Sequence, residues 1–162
     1  MSKALIPGSF DPITVGHLDI IKRTCRMFDS VTVLVSKNSD KRYMLTDEQR
    51  KLLILSAVKD LENVTVDVYD GLVAQYAYNN QIDAVVKGIR NNLDYNYEAD
   101  MALANEKISK TMFNKSFETL LMPCKPQYTD VSSSLVRLML GTGADISQMV
   151  PDKKLLLEIL NK

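Results

Sequence analysis

Five short apolar or β-branched runs punctuate the chain: KALIP (3–7), VTVLVS (31–36), VTVDV (64–68), DAVVK (83–87) and ETLLM (118–122). Runs so short and so apolar predict strands of a sheet buried on both faces. Between them the period lengthens. Leu18, Ile21, Cys25 and Phe28 recur at spacings of three, four and three, which predicts a helix with one apolar stripe. Thr46, followed three residues later by Gln49, has the form of a capping box and opens a second helix through RKLLILSAVKD. Further helices are predicted over 72–80, 95–110 and 133–140, and a last one over KKLLLEIL after Pro151 and Asp152. No repeat, low-complexity tract or linker divides the chain, so residues 1–162 are expected to form a single domain.

This alternation predicts an α/β fold: a doubly wound, parallel, five-stranded sheet with helices on both faces and right-handed crossovers. Pro7 is expected to end the first strand. In such folds ligands bind beyond the carboxyl ends of the strands, which directs attention to 7–17, 36–46, 69–72, 87–95 and 122–134.

Composition narrows the choice of ligand. Lys and Arg together number 20 and balance 20 Asp and Glu, so no overall field draws the chain to nucleic acid. A polyanionic ligand has to be met by a local basic cluster. Cys25 and Cys124 lie far apart and show no metal-ligand spacing, which fits a reducing compartment. Residues 1–10 hold no long apolar segment and no run approaches membrane-spanning length, so a cytoplasmic protein without a membrane partner is expected.

The expected loops carry equipment for phosphates. In GSFDPITVGH, Gly8 allows a sharp turn, Ser9 offers a hydroxyl and Phe10 a wall, while Asp11-Pro12 favours a turn. Gly16 and His17 begin a helix, where amide groups and the helix dipole favour an anion. His17, the only histidine, either donates to a phosphate oxygen or merely caps the helix. The 36–46 stretch holds Lys37, Lys41 and Arg42, either a solvated loop or a basic arm over a phosphorylated ligand. Lys87 and Arg90 flank a glycine at the end of an apolar strand, an arrangement that suggests phosphate contacts, with Tyr95, Tyr97 and Glu98 on the helix beyond. YTDVSSSLVR places three serines before a helix and Arg137 three after Ser134; the serines cap the helix and also present donors to an anion. No G-x-S-x-G element and no His/Cys cluster accompanies them.

These motifs together resemble a known family. Thr14-Val15-Gly16-His17 resembles the T/H-x-G-H loop of the nucleotidyltransferase superfamily, and VSSSLVR its second signature. KGIRNNLDYNYE resembles a more restricted motif, and the three in order are similar to the bacterial phosphopantetheine adenylyltransferases over essentially the whole chain. The resemblance implies a Rossmann-like fold and reversible adenylyl transfer from ATP to 4'-phosphopantetheine, giving dephospho-coenzyme A and pyrophosphate without a covalent enzyme intermediate. It implies that His17 stabilises charge on the α-phosphate, with Lys41 and Arg90 also catalytic. Ser9, Lys41, Val73 and Lys87 are implied at phosphopantetheine. Ser9, Phe10, His17, Gly88, Ile89, Arg90, Glu98 and the segment Tyr128, Thr129, Asp130, Val131, Ser132, Ser133 and Ser134 are implied at ATP. It further implies Mg²⁺ held mainly through ATP phosphates with no protein metal ligand, a homohexamer, and feedback by coenzyme A. Three positions depart from the family pattern: Ser9 stands where threonine is frequent, Lys87 where arginine is frequent, and Asp130 where an aromatic residue is expected.

Two rivals share parts of this pattern. A superfamily enzyme acting on nicotinamide mononucleotide usually has histidine where this chain has Thr14, and the KGIRNNLDYNYE block also argues against an enzyme using CTP and an alcohol phosphate. A non-catalytic nucleotide-binding module is the other, and His17, Lys41, Lys87 and Arg90 together argue against it.

Overall fold

The computed structural model describes residues 1–36 and 42–161. Strands β1 (Lys3–Gly8), β2 (Ser30–Ser36), β3 (Val64–Tyr69), β4 (Ala84–Ile89) and β5 (Glu118–Pro123) form one sheet in the order β3-β2-β1-β4-β5. Every pairing is parallel. Helices α1 (Val15–Cys25), α2 (Asp47–Val58), α3 (Val73–Asn79) and α4 (Asn92–Phe113) cross between strands; α5 (Ser133–Thr142) and α6 (Lys153–Leu160) follow β5. Among the described residues no helix is long and apolar enough to cross a membrane.

The period of two in the strands divides the core. Ala4 and Ile6 face the side covered by Ile20 and Ile21 of α1, Leu53 and Ile54 of α2, Val136 of α5 and Leu156 of α6. Leu5 and Val85 face the other side, under Ala74, Tyr76 and Ala77 of α3. Each of the five predicted strands is present within about two residues at either end. The capping box at α2 is also present, with Gln49 N–H donating to Thr46 Oγ1 at 3.2 Å and Thr46 N–H donating to Gln49 Oε1 at 2.9 Å.

Three of the boundaries that differ from expectation bear on packing and on the site. Helix α1 stops at Cys25, so Phe28 packs on the same core from beyond the helix end. Helix α4 begins at Asn92, before the predicted Tyr95, because the Asn91 side chain caps it by accepting from Asp94 N–H at 3.0 Å.

The third difference positions the site. Strand β1 does not end at Pro7; it pairs with β2 through Gly8. With β4, in contrast, it pairs only at Ala4–Ala84 and Leu5–Val85. The parity of the strand explains this. Lys3 turns both its amide and its carbonyl toward Asp83, so residues 3, 5 and 7 face β4. Proline has no N–H to donate, so the β1–β4 ladder stops at Pro7 while the β1–β2 ladder continues. The freed Pro7 carbonyl accepts from Lys87 Nζ at 3.2 Å. The carboxyl ends of β1 and β4 therefore lack ladder bonds at the place where the strand order reverses, the point at which ligands enter open α/β sheets.

Candidate active site

The turn after β1 is held from below and from the side. Arg50 of α2, wholly buried, donates through Nη1 to the Ser9 carbonyl at 2.7 Å. Phe10 adopts a left-handed backbone (φ 49°) and buries its ring, a conformation that costs about 1–2 kcal/mol for a bulky residue and persists where surroundings enforce it. An added Cβ at Gly8 would lie 3.0 Å from that ring, so glycine lets the chain pass over it. Asp11, 2 % exposed, accepts from Met44 N–H at 2.8 Å and Leu45 N–H at 2.9 Å. Arg137 of α5 donates to the Asp11 carbonyl at 2.6 Å, and Ser133 Oγ donates to the Pro12 carbonyl at 2.8 Å. One buried carboxylate and one arginine thus tie two loops and helix α5 together.

His17 sits on the first turn of α1 with its ring orientation set by bonding. Thr14 N–H donates to His17 Nδ1 at 3.1 Å, and His17 N–H donates to Thr14 Oγ1 at 3.3 Å. Accepting an amide proton requires an unprotonated Nδ1, so the neutral ring carries its proton on Nε2. The Phe10 ring meets the imidazole edge to face at 5.1 Å between centroids. Burial, then the positive charges of Arg90 and Lys87, push the His17 pKa from 6.5 down to about 4. The capping and functional readings of His17 are thus compatible: Nδ1 serves the helix cap and Nε2–H remains a neutral donor. Val15 N–H donates to the Met149 carbonyl and Leu18 N–H to that of Thr14, which leaves the Gly16 amide as the first-turn donor unclaimed among the described residues.

Across the splayed strands stand two cations, Lys87 in β4 and Arg90 just beyond its end. Lys87 Nζ pairs with Glu98 Oε2 of α4 at 3.2 Å in addition to its bond to Pro7. Arg90 pairs with Asp94, Nε to Oδ2 at 2.8 Å and Nη2 to Oδ1 at 3.1 Å. Gly88 brings β4 close over α1, since an added Cβ would lie 3.1 Å from Ile20 Cγ1. Ile89 continues the strand opposite Pro123.

The 128–134 segment approaches from β5. Tyr128 lies beside the first turn of α1, its Cβ 3.6 Å from where a Gly16 Cβ would stand. Thr129 Oγ1 donates to the Pro126 carbonyl at 2.8 Å, Asp130 is exposed, and Val131 packs toward the core. Ser132 Oγ caps α5 by accepting from Leu135 N–H, and Ser134 Oγ accepts from Arg137 Nη2. The hydroxyls of Ser132 and Ser133 thus serve the protein's own turns. The structure places Ser9, Phe10, His17, Lys87, Gly88 and Arg90 around the β1–β4 crevice, with Glu98 joined to it through Lys87. Val73 stands apart at the start of α3, against the second core. Lys41 lies outside the described residues.

The cytidylyltransferase-like family model matches residues 5–139. The phosphopantetheine adenylyltransferase of Caldanaerobacter subterraneus subsp. tengcongensis is 42% identical over 152 residues, 94% of this chain and 92% of its own. That of Corynebacterium diphtheriae is 44% identical over 152 residues, 93% of this chain and 92% of its own. The chain belongs to the phosphopantetheine adenylyltransferase family. A solved structure from Vibrio parahaemolyticus, named as a nicotinate-nucleotide adenylyltransferase, shares the fold at a TM-score of 0.70 and 23% identity, over 100% of both chains.

Membership in the phosphopantetheine adenylyltransferase family makes the charge state of His17 a testable property. Between pH 6.5 and about 4 the unfolded chain takes up a proton at this residue and the folded chain does not. Stability therefore falls as the pH is lowered through that window, and His17 has no such effect above it. Wild type is expected to lose stability relative to His17→Gln between pH 7 and pH 4, read as urea midpoints in a pH series. Parallel curves for the two proteins would refute the lowered pKa.

Sequence reading missed Arg50, and it took Asp11 only as a turn residue. A signal for Arg50 was present: it lies three and four residues before Leu53 and Ile54, on the apolar face of α2. Asp11 offered none, because its partners are 33, 34 and 126 residues away.

Proposed function

We propose that the β1–β4 crevice carries adenylyl transfer from ATP to 4'-phosphopantetheine, the penultimate step of coenzyme A synthesis, by direct in-line displacement. The carrying observation is His17 held by Thr14 as a neutral Nε2–H donor, with the charges of Arg90 and Lys87 near enough to lower its pKa. A phosphate oxygen of phosphopantetheine attacks the α-phosphorus, that new P–O bond forms, and the bond to the bridging oxygen of pyrophosphate breaks. No enzyme nucleophile takes part, so catalysis rests on positioning and on donors aimed at developing charge. His17 Nε2–H donates to an α-phosphate oxygen, and Arg90 engages the ATP phosphates. Lys87 takes the phosphopantetheine phosphate with its remaining ammonium proton, and Lys41 serves the same phosphate. Ser9, Phe10, Gly88, Ile89, Glu98 and 128–134 line the ATP side, and Val73 the pantetheine arm.

Among the described residues no group of three His, Cys, Asp or Glu side chains could hold a metal ion. Glu98, Asp94 and Asp11 are each engaged by cations or amides of the protein. Mg²⁺ would be held through phosphate oxygens, where it offsets their charge. A homohexamer in the cytoplasm completes the reading. Exposed Leu93 and Leu103 of α4 and Leu138 of α5 support assembly, and the free Cys25 and Cys124 fit a reducing compartment. Mass photometry reading monomer alone would remove the hexamer.

The test is pyrophosphate release from ATP and Mg²⁺, with 4'-phosphopantetheine, nicotinamide mononucleotide and glycerol phosphate offered in parallel. Turnover with phosphopantetheine alone is expected. Turnover confined to another acceptor, or ATP binding without turnover, overturns the proposal. Coenzyme A added to the same assay reads feedback directly: inhibition supports that part, and an unchanged rate removes it.

A further inference from the structure

At the carboxyl end of β4 each cation is held by a carboxylate of α4: Lys87 by Glu98 and Arg90 by Asp94. Asp94 and Glu98 are four residues apart, one helical turn, and so share a face of α4. The Arg90 pair is side-on. Nε and Nη2 donate in parallel to the two Asp94 oxygens at 2.8 and 3.1 Å, so the guanidinium plane is fixed by two bonds. The opposite edge, Nη1 with the outer proton of Nη2, makes no hydrogen bond among the described residues.

We infer that Asp94 is a positioning residue for adenylyl transfer: it locks Arg90 side-on and presents the free guanidinium edge to the ATP phosphates. The inference rests on the placement of Arg90 at ATP proposed above. The Arg90 side chain is 35% exposed, and an arginine left loose there loses rotamer freedom on gripping a ligand. A side-on carboxylate removes that freedom beforehand and leaves a second two-pronged edge for phosphate. Asp94 suits the task because it lies in the first turn of α4, a helix of 22 residues whose N-terminus favours negative charge.

A plain capping role has to be separated from this one, since Asp94 Oδ2 also accepts from Arg90 N–H at 3.1 Å. Asp94→Asn keeps an acceptor for that amide but loses the charge and one of the two guanidinium bonds. We expect kcat/KM for ATP to fall roughly tenfold in Asp94→Asn. The ATP dissociation constant, read by calorimetry without acceptor, rises in parallel, and thermal midpoints move little. In an Arg90→Ala background the same substitution is expected to change both quantities less than about twofold. Equal losses in the two backgrounds would make Asp94 a cap and overturn the inference, as would an unchanged kcat/KM and Kd in Asp94→Asn alone. The calorimetric cycle needs no acceptor, so failure with phosphopantetheine and failure of the Arg90–Asp94 coupling are separate results.

Discussion

His17→Ala is expected to lower kcat roughly a hundredfold to a thousandfold while the ATP dissociation constant changes less than about threefold. The asymmetry follows from the geometry. Thr14 N–H occupies Nδ1, so the imidazole cannot turn without losing a helix-capping bond. Its remaining proton is therefore on Nε2, and because burial pushes the pKa down to about 4 the ring gains no second proton at working pH. A neutral donor adds little to the binding of a polyanion, whose affinity comes from full positive charges. It adds most where negative charge grows on the α-phosphate oxygens, and it needs no reorganisation at that moment. Steady-state rates with saturating 4'-phosphopantetheine, paired with calorimetry for ATP, separate the two quantities. A variant that turns over normally but binds ATP poorly would place His17 in ground-state binding instead.

Arg50→Met is expected to cost about 3 kcal/mol of stability. Arg50 is fully buried, donates to Ser9, pairs with Asp47 and lies under the Tyr43 ring at 4.2 Å. Methionine keeps much of the volume, so the loss does not arise from a cavity. It arises from a Ser9 carbonyl left without its donor, about 1–3 kcal/mol, and from Asp47 losing its guanidinium. The second part is discounted because the Asp47 side chain is 28% exposed and reaches water. Among the described residues Arg50 Nε has no hydrogen-bond partner, which trims the net loss further. Arg50→Lys should not restore stability, since a single ammonium cannot bond Ser9 and Asp47 in the guanidinium's fork geometry. Urea midpoints measure the change, and a loss under about 0.5 kcal/mol would show that the Ser9 turn holds itself.

These two residues also mark where the sequence is legible. The strands could be read because apolar doublets alternate with polar periodic stretches, and the buried sheet needs that pattern. His17 could be read because glycine and a helix start announce an anion site locally. Arg50 and Asp11 act through bonds to residues 33 to 126 positions away, and no periodicity encodes such pairs. Asp94 escaped notice for a different reason. An acidic residue in the first turn of a helix is so common a cap that its grip on Arg90 appears only when both side chains are placed. The serines of 132–134 show the reverse: their pattern is plain, but all three hydroxyls are engaged by the protein itself.

Pro7 carries a consequence for how ligands are received. A gap that ligand has to force between two strands would open only by breaking hydrogen bonds, and that loss would weaken every complex formed there. Here an imino acid has removed the bond in advance, on one side of one strand, while β2 keeps the other side in register. Lys87 occupies the vacated carbonyl from its own side chain, so a positive charge stands in the breach before any phosphate arrives. The missing bond is a property of the covalent chain, since no rearrangement gives proline an N–H to donate across to β4.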